Sequence, residues 1–274
     1  MTGRDLLTCL AGGLIVSCQA DASSPLRDSG VIARLALCAE LGGAVALRVD
    51  SPGDIRAVRE LCTLPVLGLH KRPGSYRPLI TTTFDDAAGL VAAGADLVAI
   101  EVSPDSPDAV RLIERVAREL GVPVVADVAT LEAGEQAVAA GAQLVATTLS
   151  GYLHGSAAAD GPDVGLVRHL AGLGIPVVAE GRYRTRDQVA AAFAAGAHAV
   201  VVGSAITDPR PRRRAALPAP DRLPAAGGIR PRRLSSGPTA PRWLPPLRSA
   251  GRTARARRDA RAGCGPPGRT ARRA

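Results

Sequence analysis

The sequence predicts an α/β protein of the (β/α)8 TIM-barrel class, with a missing or degenerate last helix and a disordered basic C-terminal tail. Three observations carry this. Eight short, almost continuously apolar runs alternate with seven helix-like stretches. The junctions between them repeat. Charge and proline content change abruptly near residue 209. A doubly wound open sheet is the alternative, but no Gly-x-Gly-x-x-Gly follows the first strand, as a dinucleotide-binding sheet would require.

The expected strands are 14–19 (LIVSCQ), 44–50 (AVALRVD), 66–71 (VLGLHK), 97–102 (LVAIEV), 124–128 (VVADV), 144–150 (LVATTLS), 177–182 (VVAEGR) and 199–205 (AVVVGSA). Near-continuous Val/Ile/Leu/Ala is the pattern of parallel strands covered on both faces. The stretches between them, such as 108–120 and 186–196, have helical apolar spacing. AAGADLVAI, AAGAQLVAT and AAGAHAVVV repeat a helix end, a glycine (Gly94, Gly141, Gly196) and a strand start. GVPVVAD and GIPVVAE repeat a second junction. A helix ending on glycine before a buried strand is the usual αβ turn. A unit of about 25 residues used eight times fits a barrel.

The segment GGLIVSCQ also has the shape of a lipoprotein signal ending in Cys18. Gly12-Gly13 interrupts such an apolar helix, and Asp5 directly follows Arg4, so the basic leader is missing. We therefore expect a first strand here. No apolar run reaches the ~18 residues of a membrane span.

Composition narrows the chemistry. Aromatic residues are 2% of the chain, which argues against a binder that stacks nucleobases. The five cysteines, Cys9, Cys18, Cys38, Cys62 and Cys264, have no paired spacing and are expected as small buried thiols in a reducing compartment. His70, His154, His169 and His198 are scattered, and no pair has metal-ligand spacing, so no catalytic metal is expected. His198 is expected in an αβ turn. The net charge of +9 hides two regimes: 16 Lys+Arg against 23 Asp+Glu in 1–209, and 18 Arg against two acids in 210–274.

In a barrel of this kind the active site lies at the C-terminal ends of the strands. Those ends carry Gln19, Arg48 and Asp50, Lys71-Arg72, Glu101, Asp127, Thr147-Thr148, Glu180-Gly181-Arg182 and Gly203-Ser204. Such a polar ring is costly to bury without partners or a ligand. Lys71 is the only lysine, against 33 arginines. Lysine, unlike arginine, loses its proton when desolvated and can serve as a base or Schiff-base nucleophile; a surface lysine or an ion pair is the alternative. Loops after strands seven and eight commonly hold a phosphate through backbone N–H groups, which fits Gly181 and Gly203, with Arg182 as a clamp; simple tight turns are the alternative. Asp127 and Glu180 suit proton transfer, a hold on Lys71 or hydroxyl binding, or else ordinary ion pairs with Arg48 or Arg182.

GGLIVSCQ, HKR, ITTT, TTLSGY, VVAEGRY and VVVGSAIT, in this order and spacing, resemble the bacterial N-acylglucosamine-6-phosphate 2-epimerases, also called N-acetylmannosamine-6-phosphate 2-epimerases. The similarity runs from about Gly12 to Thr207. It implies a metal-free, cofactor-free barrel that interconverts N-acetylmannosamine 6-phosphate and N-acetylglucosamine 6-phosphate in the cytoplasm, in amino-sugar and sialic-acid catabolism. It further implies Lys71 as catalytic lysine at sugar C2 and Glu180 as its acidic partner. Gln19, Arg48, Asp127 and Thr148 would bind the sugar and its N-acetyl group. Gly181, Arg182, Gly203 and Ser204 would hold the phosphate. An amino-sugar phosphate is then the expected partner, with no nucleic acid for the barrel and no membrane; a homodimer is an open expectation. Two other readings stay open: another phosphate-binding barrel isomerase or synthase, and an inactive barrel whose tail binds anionic partners.

Three departures stand out. Strand four ends AIEVSPDSPD where the family has an Asp-containing turn followed by Arg-Pro, with Glu101 as partial substitute. Pro73 stands where an acid is common. After SAITDP the family continues with an apolar final helix, whereas this chain turns Arg/Pro-rich. The expected organisation is a catalytic barrel over 1–208 and a tail over 209–274. The tail's bias matches an out-of-frame reading of GC-rich DNA, with a native disordered tail as the alternative.

Overall fold

The computed structural model describes residues 3–156 and 160–210. The strands β1 (Gly13–Cys18), β2 (Ala46–Asp50), β3 (Val66–Leu69), β6 (Leu97–Glu101), β7 (Val124–Asp127), β8 (Leu144–Ala146), β9 (Val177–Ala179) and β10 (Ala199–Val202) form a closed parallel barrel. Its order is β1-β10-β9-β8-β7-β6-β3-β2. Helices α2 (Ser29–Leu41), α3 (Pro52–Leu61), α4 (Phe84–Ala93), α5 (Ala109–Glu119), α6 (Leu131–Ala139), α7 (Val164–Ala171) and α8 (Arg186–Ala194) connect successive barrel strands.

Strand parity divides the core into two. Ile15, Ala46, Leu67, Leu69, Leu97, Ala99, Val125, Leu144, Ala146, Val178, Ala199 and Val201 fill the barrel interior. Val16, Cys18, Leu47, Val49, Val98, Ile100, Val124, Ala126, Val145, Val177, Val200 and Val202 face the surrounding helices. Successive side chains of a strand point to opposite faces, so both sets must be apolar. This explains the unbroken apolar runs, and branched and small side chains fill both layers without aromatic bulk.

Local chemistry sets the helix boundaries. Thr83, Thr130 and Thr185 cap α4, α6 and α8, each hydroxyl accepting from the backbone N–H three residues on. The repeated AAGA junction needs its glycine. Gly94 ends α4 at φ +108, and Gly196 sits at φ +100, where an added Cβ would come within 2.9 Å of the Ala171 Cβ.

The structure adds a helix not anticipated in the sequence. α1 (Gly3–Leu10) precedes β1, with Leu6 and Leu10 buried among the interior residues at the strand starts. It therefore closes the N-terminal end of the barrel. His198, in the expected turn before β10, fixes it: its Nε2 lies 2.8 Å from the Leu7 carbonyl.

The expected strands also run too far. The third barrel strand stops at Leu69, and Lys71–Arg72 form a separate strand, β4, antiparallel to β5 (Leu79–Ile80). The sixth ends at Ala146, the seventh at Ala179 and the eighth at Val202. The alternation of faces continues past the last ladder hydrogen bond, so an apolar run marks where a strand begins better than where it ends. Cys18 and Cys62 are buried as expected, and burial pushes both thiols up to about 12, but Cys38 is exposed. After β10 comes a short turn of helix, α9 (Ser204–Thr207). Of the expected tail over 209–274 only Pro209 and Arg210 are described; the rest of it, the position of the missing final helix and Cys264 lie outside the described residues. No helix among the described residues is long and apolar enough to cross a membrane.

Leu10, 1% exposed, tests the role of α1. Leu10→Ala should lower the unfolding free energy by about 2–5 kcal/mol in denaturant titrations. A loss below about 0.5 kcal/mol, the size of an ordinary surface change, would mean that α1 does not close the barrel.

Candidate active site

Extending the interior parity beyond the apolar layers predicts which strand-end side chains point inward. Gln19, Arg48, Asp50, Lys71, Glu101, Asp127, Thr148, Glu180 and Gly203 all share it. The structure gathers most of them at the C-terminal mouth.

Arg48 lies at the centre. Its side chain is 4% exposed, with Nη1 2.6 Å from Glu180 Oε1 and Nη2 2.6 Å from Asp127 Oδ2. Thr148 closes the figure, its Oγ1 lying 2.6 Å from Asp127 Oδ1 and 3.0 Å from Glu180 Oε2. Arg48, Asp127, Thr148 and Glu180 thus form a hydrogen-bonded ring that draws on β2, β7 and the segments following β8 and β9. Thr147 secures Glu180 from behind: its hydroxyl donates to the Glu180 carbonyl at 2.8 Å and accepts from the Glu180 N–H at 2.9 Å. Burial pushes the Asp127 carboxyl up, as do Glu180 and Glu101, against the opposite pull of Arg48 and the Thr148 hydroxyl. Arg48 itself is raised, because its two carboxylate partners outweigh its burial. Its Nε is buried without a hydrogen-bond partner among the described residues.

Lys71 is held in the same mouth through its backbone, whose N–H donates to Asp50 Oδ1 at 3.0 Å. Its ammonium has no hydrogen bond or ion pair among the described residues. Burial lowers its pKa, and Arg48 and Arg27 push the same way against Asp50 and Asp21. A half-buried lysine held without a counter-ion is suited to exist neutral and to take a proton. Gln19 follows β1, its amide donating to Ser17 Oγ at 2.8 Å.

The expected phosphate side is less uniform. Gly181 has φ +102, and Gly203 packs so that a Cβ would meet the Ser17 Cβ at 3.3 Å. Ser204 begins α9, whose first N–H groups have no carbonyl partner within the helix. Arg182 is drawn to a loop instead. Its Nε donates to the Gly161 carbonyl at 2.6 Å and its Nη1 to the Ser150 carbonyl at 2.7 Å, while the guanidinium lies over the Tyr152 ring.

Other functional-looking residues were not anticipated. Arg77, from the loop between β4 and β5, makes a bidentate pair with the fully buried Glu101 at 2.9 and 3.0 Å and also reaches Asp105. It supplies a guanidinium at strand four, where the turn that carries an arginine in the family lacks one in this chain. Beside it Tyr76 donates to Asp105 at 2.6 Å and accepts from the His154 N–H at 3.0 Å, joining three loops. Arg77-Pro78 directly before LITTT is the only sequence signal, and it gives no partner. His70, Arg72 and the buried Asp86 form a second cluster under the hairpin, with His70 Nδ1 3.1 Å from Asp86. Positive φ at non-glycine residues occurs at Ser51, Thr81 and Arg182, which follow β2, β5 and β9. Strain of this kind gathers where the surrounding structure holds a site in place.

Comparison with known proteins gives a consistent picture. A family model described as “Putative N-acetylmannosamine-6-phosphate epimerase” matches residues 32–213. A Thermosynechococcus vestitus protein named “Putative N-acetylmannosamine-6-phosphate 2-epimerase” is 44% identical over 207 residues, covering 74% of this chain and 91% of the relative. A Klebsiella pneumoniae protein of the same name is 43% identical over 198 residues, covering 72% and 84%. A solved structure of the Clostridium perfringens N-acetylmannosamine-6-phosphate 2-epimerase has 33% identity and a TM-score of 0.69, covering 74% of this chain and 91% of that one.

Arg48→Met tests the ring. It leaves Asp127 and Glu180 side by side without their shared cation, which should cost about 3–5 kcal/mol near pH 8. Burial already raises the Asp127 carboxyl in folded wild type, and without the cation it rises further. The variant's deficit should therefore be small at low pH, where this carboxyl is protonated in both proteins, and grow as pH rises through the wild-type folded value toward the variant's higher one. Denaturation midpoints at pH 5 and pH 8 check this, and a deficit that shrank with rising pH would contradict it.

Proposed function

Given that this chain belongs to the N-acetylmannosamine-6-phosphate epimerase family, we propose that it interconverts N-acetylmannosamine 6-phosphate and N-acetylglucosamine 6-phosphate by inverting C2. The observation that carries the mechanism is Lys71, the chain's only lysine, half-buried at the barrel mouth beside the Arg48 ring, its ammonium in no ion pair among the described residues. In the open-chain sugar the C2 hydrogen is acidic because it lies α to the C1 aldehyde. Neutral Lys71 removes it, the C–H electron pair becomes the enolate π bond, and negative charge moves to the C1 oxygen. A solvent-derived proton added to the opposite face of C2 re-forms the aldehyde in the inverted configuration, Lys71 returns to solvent the proton it took, and Glu180 is the acidic partner of Lys71 at the reacting centre.

The other groups orient and stabilise. Gln19, Arg48, Asp127 and Thr148 meet the sugar and its N-acetyl group, and a guanidinium or hydroxyl near the C1 oxygen lowers the enolate's energy. The phosphate sits at the backbone of Gly181, Gly203 and Ser204, with Arg182 holding the adjoining loop and contributing positive field. Binding at the phosphate, remote from C2, supplies the orientation that the reacting carbon needs. A charged sugar phosphate places the enzyme in the cytoplasm, in amino-sugar and sialic-acid catabolism. The barrel over 1–208 is the catalytic unit, and 209–274 is an appended tail.

Proton NMR of N-acetylmannosamine 6-phosphate in D2O tests the function. Wild-type protein should produce N-acetylglucosamine 6-phosphate signals with loss of the C2 proton. Lys71→Ala should slow this by about 10²–10⁴-fold. Folded wild-type protein that turns over a pentulose phosphate and neither hexosamine phosphate would contradict the function. An active Lys71→Ala would contradict the mechanism.

A further inference from the structure

Lys71 stands outside the barrel ladder, so something other than a barrel strand must hold it. β3 ends at Leu69, and Lys71 and Arg72 pair with Ile80 and Leu79 of β5. Successive side chains of a strand point to opposite faces. His70 and Arg72 turn to Asp86, with His70 Nδ1 at 3.1 Å and Arg72 Nε at 2.9 Å from its Oδ1. Lys71 has the opposite parity, that of the mouth, and its N–H donates to Asp50 Oδ1 at 3.0 Å. Asp50 ends β2, two residues after Arg48 and on the same inward face, and it is 4% exposed. Among the described residues it forms no ion pair. A carboxylate this buried is costly to keep without a counter-ion, and neither the family resemblance nor the Arg48 ring has a use for it.

We propose that Asp50 is a positioning residue for Lys71: one carboxylate oxygen anchors the lysine's backbone at the mouth, and the negative charge acts on the lysine's ammonium. This rests on the epimerase reading above and deepens its account of the base. A base for C2 must be neutral yet still strong, because the driving force for proton transfer falls with its proton affinity. Burial lowers the Lys71 pKa, and Arg48 and Arg27 lower it further; Asp50 opposes them, as does Asp21.

The surroundings single out Asp50. Arg48 and Asp50 face Lys71 from β2, and Asp21 and Arg27 from the segment between β1 and α2. Arg48 is shared by Asp127 and Glu180, and Arg27 reaches Asp54 at 3.0 Å. His70 and Arg72 of the hairpin engage Asp86 of α4. Asp21 is exposed. Asp50 is thus the buried acid of this set left without a cation among the described residues, and its field falls on Lys71. The two parts of its role separate chemically. Asparagine keeps a carbonyl oxygen for the Lys71 N–H and removes the charge, whereas alanine removes both. A residue that only shaped the turn after β2, where the Ser51 N–H donates to the Leu69 carbonyl at 2.8 Å, would leave the ionisation of Lys71 unmoved.

Full-length protein made with 13C,15N-lysine gives one backbone amide and one side-chain signal, both from Lys71. Its side-chain signal is titrated in wild type, Asp50→Asn and Asp50→Ala, beside pH profiles of kcat/KM for N-acetylmannosamine 6-phosphate. In Asp50→Asn the Lys71 midpoint should fall by about 1 pH unit. The acid limb of kcat/KM should move down with it, because Lys71 is neutral from a lower pH, and the plateau should stay within about threefold of wild type. Asp50→Ala should show the same fall in midpoint and a plateau about 10–100-fold below wild type, because the base also loses its anchor. A midpoint that stays or rises in Asp50→Asn would overturn the proposal, as would equal plateaus in the two variants. If wild type converts neither epimer while the midpoint still falls in Asp50→Asn, the epimerase reading fails and the hold of Asp50 on Lys71 stands. If neither variant folds, wild type decides: the Lys71 amide signal should shift as acid protonates the Asp50 carboxylate, and an amide that follows no carboxyl titration overturns the proposal.

Discussion

Arg48 holds two acids that the barrel places far apart around its circumference. In the closed sheet β7 lies three strands from β2 in one direction and β9 three in the other. A single guanidinium at the mouth bonds to both sides at 2.6 Å. Only a planar fork with separate donors can do this; an ammonium at that position would be a point charge without fixed directions. The arrangement decides the electrostatics of the mouth. It keeps two carboxyls together in a dry site, leaves one oxygen of each for Thr148, and adds positive charge near Lys71. Removing it would leave uncompensated charge, which costs far more than the ion pair gains over an apolar replacement.

The surrounding architecture exists to hold that mouth rigid. The interior is packed by alternating small and branched side chains, and α1 closes the far end with Leu6 and Leu10. The outer shell of Val, Ile, Leu and Ala binds the helices to the strands. Several of the C-terminal loops are tied to one another. Arg77 links the hairpin to Glu101, Tyr76 links it to Asp105 and His154, and Arg182 links its loop to Ser150 and Gly161.

Much of this was legible in the sequence, for a physical reason. A parallel barrel buries both faces of every strand, so each strand announces itself as an apolar run. The first polar residue of correct parity after each run must face the mouth. The sequence reading took the polar residues at the ends of those runs, Gln19, Arg48, Lys71, Asp127, Thr148 and Glu180 among them, as the candidate site, and the family resemblance implied their roles. What it missed depends on contacts distant in sequence. The eight residues of α1 are too short to signal a helix before their partners inside the barrel are known. The β4–β5 hairpin and its Arg77 were hidden because a bidentate pair with Glu101 has no sequence pattern. Arg182 looked like a phosphate clamp from its position, yet two carbonyls of a neighbouring loop engage its donors. Asp127 and Glu180 were weighed as ion-pair partners of Arg48 or Arg182, or as groups that move protons, hold Lys71 or bind a hydroxyl. The geometry puts both in ion pairs with Arg48 and leaves each an oxygen at Thr148.

The account turns on Lys71 being able to lose its proton in the working enzyme. As the only lysine, it gives a single side-chain resonance when the protein is made with 13Cε,15Nζ-lysine. Titrating that resonance reads its ionisation directly. The account predicts a midpoint clearly below the ordinary lysine value of about 10.4. It also predicts that Arg48→Met, which removes a nearby positive charge, moves the midpoint up. A Lys71 that titrates at or above the ordinary value in folded protein would contradict the claim that burial prepares it as the base.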